Sequence, residues 1–266
     1  MSEDTIYSYY EEGAGFSLKE KLVDHIDECM RILSSFDDSR IHKYLVKMPC
    51  KWSIKPSDAI RLLVVFHDVG KVFYQKDYEY DEKRNVKYLS FKGHEFLSFY
   101  IFNKFSYEIE KYHTDSNIIL SACSFSILFH HHAMNPEQRR KVRMKCDITL
   151  EDLKINELKN MLTRFLKNEW ELNALDCTLS TLIRDIKACG SVKRFIENVT
   201  YASLKGEEYK NLWDYFVTCS MFKKISLVFL ATLLTVDYLS AYKLRGGGEP
   251  SDFHKVLMDF HNYYLS

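Results

Sequence analysis

A helix that is apolar on every side can only be buried, so the run Leu62-Leu63-Val64-Val65-Phe66 marks the centre of whatever this chain folds into. Pro56-Ser57 is a start signal for a helix over Asp58 to Phe66, and Gly70 reads as its terminator. Between them stand His67 and Asp68, followed by Val69-Gly70-Lys71. An imidazole and a carboxylate are thus delivered side by side at the end of a buried helix. A sharp turn after the pair would free both side chains to face a cavity.

The rest of the chain is written for helices. Only nine glycines and four prolines occur among 266 residues, too few for the many turns of a β-sandwich. Helical periodicity is read over Leu18 to Phe36, from His94 to about Phe105, and from Asn117 to His132. Further helices are predicted near 151–168, 174–188, 208–219, 222–244 and 251–263, with Gly246-Gly247-Gly248 ending the fourth of these. Tyr78 to Ser90 alternates instead, which predicts a small hairpin. The expected fold is all-α: one helical bundle over 1–266, with a β-hairpin insertion near 78–90 and a covering helical subregion at 138–220.

Composition narrows the function. The formal net charge is zero, so any attraction for nucleic acid must be local. Seven cysteines, at 29, 50, 123, 146, 177, 189 and 219, show no Cys-x-x-Cys spacing, which argues against a zinc ribbon or a redox motif. No apolar run reaches the roughly 20 residues that span a bilayer, the longest lying around Ile225 to Leu234. Met1-Ser2-Glu3-Asp4 is polar and unlike a signal peptide, so a cytoplasmic protein is expected.

Histidines and aspartates recur at the ends or in the middle of apolar helices. His25 sits near the buried face of the first helix, and His94 follows Gly93 at a helix start. Alone, the first reads as a hydrogen-bonded core histidine and the second as a surface residue. The triplet His130-His131-His132 closes the apolar run Phe125 to Phe129. Neighbouring side chains on a helix diverge by roughly 100°, so two of the three can converge on one ion and the third faces elsewhere. Asp237 interrupts the apolar stretch Val228 to Val236, and a buried carboxylate costs several kcal/mol unless a cation or strong donors meet it. Together these residues form a histidine and carboxylate donor set suited to first-row divalent metals. An aspartate beside a histidine can bridge two ions about 3.5–4 Å apart, an arrangement built for in-line displacement at phosphorus by a metal-activated hydroxide. A structural metal site would instead be closed and rich in thiolates.

These residues resemble the HD-domain metal-dependent phosphohydrolase superfamily, for which His67-Asp68 is the naming pair. More narrowly, His67-Asp68-Val69-Gly70-Lys71, then Phe91-Lys92-Gly93-His94-Glu95-Phe96-Leu97-Ser98, the histidine pair and the late helical Asp237 are similar to the CRISPR-associated HD nuclease. That enzyme is the nuclease half of the type I interference nuclease–helicase, here as a stand-alone chain. The resemblance covers roughly residues 18–135 and 222–245. It implies one ion held by His25, His67, Asp68 and Asp237, and a second held by Asp68, His94, His131 and His132. Ala133 favours His131-His132 as the family's pair and leaves His130 over. Asp68 and Lys71 would be catalytic, Lys71 meeting the scissile phosphate or its leaving oxygen. The implied activity is cleavage of single-stranded DNA or RNA in antiviral defence, with Mn, Ni, Co, Fe or Mg as the metal. A separate helicase subunit and a guide-RNA surveillance complex are the implied partners.

Arg139, Arg140, Lys141, Arg143 and Lys145 follow the triplet, and Lys243 and Arg245 follow Asp237. Such runs are usually solvated surface, but beside the metals they would steer a phosphate backbone. Tyr74, Tyr78 and Tyr80 are candidates to stack unpaired bases. The competing expectation is an HD phosphohydrolase of nucleotides or cyclic nucleotides, whose ligand chemistry is nearly the same.

Overall fold

The computed structural model describes residues 5–49, 52–113, 117–131 and 148–266. Helix α3 (Pro56–Phe66) lies at the centre, with Pro56 in its first turn and Ala59 to Phe66 all buried. Around it pack α1 (Leu22–Ile32), α2 (Arg40–Val46), α5 (Asn117–Phe129) and the long α10 (Ser220–Leu244). Helix α4 (His94–Glu110) also touches α3 and packs against a short 3-10 segment, Val69–Tyr74.

The remaining helices are α6 (Ile155–Thr163), α7 (Glu169–Cys189), α8 (Val192–Lys205), α9 (Glu207–Thr218) and α11 (Asp252–Phe260). Their apolar residues, among them Leu158, Leu182 and Phe195, belong to the same continuous core as Leu62 and Phe66. The described part of 138–220 is therefore built into the bundle. A buried ionic contact helps to fix it there. Arg61 of α3 and Glu171 of α7, both buried, pair through both guanidinium Nη atoms. The backbone N–H of Lys167 donates to Glu171 as well, at 2.6 Å.

The expectation of an all-α chain is corrected to a mainly helical one carrying a four-stranded antiparallel sheet. The predicted hairpin is present as β3 (Tyr78–Asp81) and β4 (Val86–Leu89). It is joined by a second hairpin, β1 (Tyr7–Gly13) and β2 (Phe16–Lys21), in the order β2-β1-β4-β3. Residues 18–21 are consequently strand, and the first helix starts only at Leu22. The Tyr7-Ser8-Tyr9-Tyr10 stretch and the Gly13-Ala14-Gly15 turn, with Gly15 at φ +87°, are the physical reason.

Gly70 does not end α3 by a left-handed turn. It lies inside the 3-10 segment, and a Cβ there would come within 2.1 Å of the His94 carbonyl oxygen and 2.8 Å of the Ser98 nitrogen. Its role is close approach, bringing the 3-10 segment onto the first turn of α4. One helix also exceeds the sequence reading. Helix α10 contains an 18-residue window of mean hydropathy 1.6, long and apolar enough to cross a bilayer, and half of that window is buried inside the protein. Its threonines Thr232 and Thr235 suit such a helix, their hydroxyls bonding back to carbonyls of the preceding turn.

Removing Arg61 alone leaves the Glu171 carboxylate buried without its cation. Arg61→Met should cost about 3–5 kcal/mol in urea unfolding, whereas the double variant Arg61→Met/Glu171→Leu should recover most of that loss.

Candidate metal centre

Five elements each bring one or two side chains to a common point. Helix α1 supplies His25, the end of α3 supplies His67 and Asp68, α4 supplies His94, the turn after α5 supplies His130 and His131, and α10 supplies Asp237. Two four-residue groups result, His25-His67-Asp68-Asp237 and Asp68-His94-His130-His131, and in each the donor atoms lie within 4.8 Å of one another. Asp68 belongs to both. Its Oδ2 is 3.8 Å from His25 Nε2 and 3.5 Å from His67 Nε2. Its Oδ1 is 2.8 Å from His94 Nε2 and 3.9 Å from His130 Nε2. Asp237 Oδ1 closes the first group at 3.1 Å from His25 Nε2 and 3.8 Å from His67 Nε2.

Main-chain geometry decides which imidazole nitrogen points inward. The Nδ1 atoms of His67, His94 and His130 lie 2.7, 2.6 and 2.6 Å from the carbonyl oxygens of Val64, Phe91 and Ile127, each three residues earlier. A carbonyl can only accept, so each Nδ1 carries the proton and each Nε2 offers its lone pair to the centre. His67 Nε2, His130 Nε2, His131 Nδ1 and Asp68 Oδ1 are buried with no hydrogen-bond partner. Lone pairs converging on one point without donors between them fit a cation. Nitrogen and carboxylate oxygen are the right donors for a first-row divalent ion.

At the two carboxylates and at His131 the electrostatics agrees. Burial alone would raise the Asp68 carboxyl, yet the Lys71 charge and the imidazoles of His67, His130 and His94 hold it well below the usual carboxylate range. Asp237 is likewise held low against its burial by His25 and His67. Burial, reinforced by the neighbouring His130 and His94, pushes the His131 imidazole well below its ordinary value, so its neutral, ligating form prevails.

The expected ligands His25, His67, Asp68, His94, His131 and Asp237 are all brought together. The residue left over, His130, is also in the cluster, 1% exposed and facing Asp68, which corrects its exclusion. The helix ends at Phe129 and unwinds, so His130 and His131 can converge where a regular helix would splay them. His132 and the basic run Arg139, Arg140, Lys141, Arg143 and Lys145 lie outside the described residues.

A cavity of about 350 Å³ opens onto the centre, lined by Lys71, His94, His131 and Asp237 at one end and by Tyr9, Phe91, Tyr238 and Arg245 elsewhere. Lys71 Nζ pairs with Asp68 Oδ2 at 2.6 Å while facing this space. Lys243 is not at this cavity; its amine pairs with Glu28 on another face, 3.0 Å away. Tyr74 is buried in the core, and neither Tyr78 nor Tyr80 lines the cavity. The aromatic walls are Tyr9 on β1, Phe91 just before α4, and Tyr238, one residue after Asp237.

Sequence reading also missed Glu20, on β2. Its carboxylate accepts from Ser8 Oγ at 2.5 Å and Arg245 Nε at 2.8 Å, and lies 2.8 Å from His25 Nδ1. Burial opposes its ionisation, but His25 and Arg245 outweigh that and bring its pKa down to about 2. The signal that could have found it is the Gly13-Ala14-Gly15 turn, which makes 16–21 a strand.

The chain matches no family model, no curated protein and no solved structure.

Because Asp68 serves both groups, Asp68→Ala should abolish divalent-metal binding at both, while Asp237→Ala should weaken only the His25 group. Metal content by mass spectrometry after loading and desalting, with circular dichroism to monitor the fold, checks the difference.

Proposed function

We propose that the protein is a metal-dependent phosphodiester hydrolase of the HD type that cleaves single-stranded nucleic acid. One observation carries this reading above the others: a single buried aspartate turns one oxygen toward each of two histidine-rich groups, at the end of a cavity. Divalent ions held there, with Mn, Ni, Co, Fe and Mg the candidates, would supply Lewis-acid activation of water and neutralise charge on the phosphate. The chain's own residues supply the rest. Lys71 Nζ is the cavity cation beside Asp68, able to meet a phosphate oxygen or protonate the leaving one, exchanging its bond to Asp68 for it. Arg245 at the cavity wall can hold a second phosphate, and Tyr9, Phe91 and Tyr238 offer aromatic faces for an unpaired base.

The order His67-Asp68, His94, a histidine pair and Asp237 supports placing the bundle among HD domains and near the CRISPR-associated HD nuclease. On that reading the protein acts in antiviral defence beside a separate helicase and a guide-RNA complex, on DNA or RNA single strands. A second reading has its own support. A cavity of about 350 Å³ with aromatic walls is the size that encloses one small ligand, so a nucleotide or cyclic nucleotide phosphohydrolase fits the same centre.

The test is hydrolysis by protein stripped of metal and resupplied with Mn²⁺, Ni²⁺ or Mg²⁺, using labelled single-stranded DNA and RNA, duplex DNA and a nucleotide panel. Metal-dependent cutting of single strands that falls to background in Asp68→Ala is the expected outcome. Nucleotide turnover with polymers left intact would transfer the assignment to the second reading, and full activity in Asp68→Ala would overturn both.

A further inference from the structure

His25 is held differently from the other inward-facing histidines. His67, His94 and His130 each give their Nδ1 proton to the main-chain carbonyl three residues earlier. His25 Nδ1 has instead the Glu20 carboxylate at 2.8 Å, with Ser240 Oγ further away at 3.3 Å. Its Nε2 is thereby aimed at Asp237 and Asp68. The Ser240 hydroxyl donates to the His25 carbonyl at 3.1 Å, so α10 holds the main chain of α1 at the same spot.

Glu20 in turn is fixed from two sides. Ser8 of β1 donates to Oε1, and Arg245, just beyond α10, donates to Oε2 while its guanidinium lies 4.2 Å from the Tyr9 ring centre. Glu20 itself is 4% exposed and does not line the cavity, whereas Ser8, Tyr9 and Arg245 do. A buried carboxylate on the far nitrogen of a ligating imidazole fixes the tautomer and ring plane and raises the basicity of the near nitrogen.

We infer that Glu20 is a positioning residue for His25, and that through Arg245 it ties the wall of the substrate cavity to the metal ligand set. This rests on the reading of His25-His67-Asp68-Asp237 as a metal site. In Glu20→Gln the amide oxygen can accept from only one side, so either His25 or Arg245 loses its acceptor and gains an N–H facing a donor. Glu20→Asp keeps the charge on a shorter arm.

The experiment is calorimetric titration of stripped full-length protein with Zn²⁺, together with imidazole ¹⁵N NMR of the Zn²⁺-loaded protein. Wild type should show His25 with a proton on Nδ1 shifted downfield by its bond to a carboxylate. Glu20→Gln should lose that signal and bind Zn²⁺ about 10–100-fold more weakly at the His25 group, leaving the His94 group within a few-fold. Glu20→Asp should recover part of the affinity. Unchanged affinity in Glu20→Gln, or a wild-type His25 protonated on Nε2, would overturn the role of Glu20 alone. No Zn²⁺ binding by the wild type would overturn the metal reading on which it rests. Should Glu20→Gln fail to fold, the wild-type spectrum still decides.

Discussion

A carboxylate taken out of water must be surrounded by charge and donors, and Asp68 is 1% exposed at the meeting point of five elements. That requirement organises the bundle. Lys71 reaches it from three residues on, and imidazoles from α1, α3, α4 and the end of α5 face its two oxygens. No pair of neighbouring helices could satisfy it. The centre therefore exists only when α10, which is nearly at the far end of the chain, has closed over α1 and α5. Its assembly is a long-range event, late by any account in which loop closure is opposed by chain entropy.

Much of this was legible because buried polar residues stand out against apolar runs. His67-Asp68 after Leu62 to Phe66, the triplet after Phe125 to Phe129, and Asp237 within α10 all announce themselves in that way. Pattern also identified the helices, since turns are scarce and the ends of α3 and α10 carry Pro56 and Gly246. What pattern could not resolve was the direction of side chains where the helix stops. His130 and His131 both turn inward because α5 unwinds after Phe129, and that depends on contacts from elsewhere in the fold. The N-terminal sheet was hidden for a related reason. Residues Leu18 to Lys21 continue smoothly into an amphipathic helix, and only pairing with β1 makes them strand.

That sheet is more than an appendage. It places Ser8, Tyr9 and Glu20 against the helical centre, so one wall of the cavity comes from strands and an adjoining one from α10 and Arg245. Gly70 performs the matching task on the helical side. A side chain there would drive into the backbone of α4 and separate Asp68 from His94. Phe91 and Gly93, which precede α4, are placed by the same contact, and they line the cavity beside His94.

The three histidines anchored on the carbonyl three residues earlier have a further consequence. Their aim is inscribed in the main chain, and any residue at positions 64, 91 and 127 offers the same carbonyl. Side-chain changes at those positions leave this anchor in place as long as the local backbone persists. His25 has no such insurance. Its orientation is a contract between two side chains on different elements, so a change at Glu20 would have to be answered elsewhere before the centre could tolerate it.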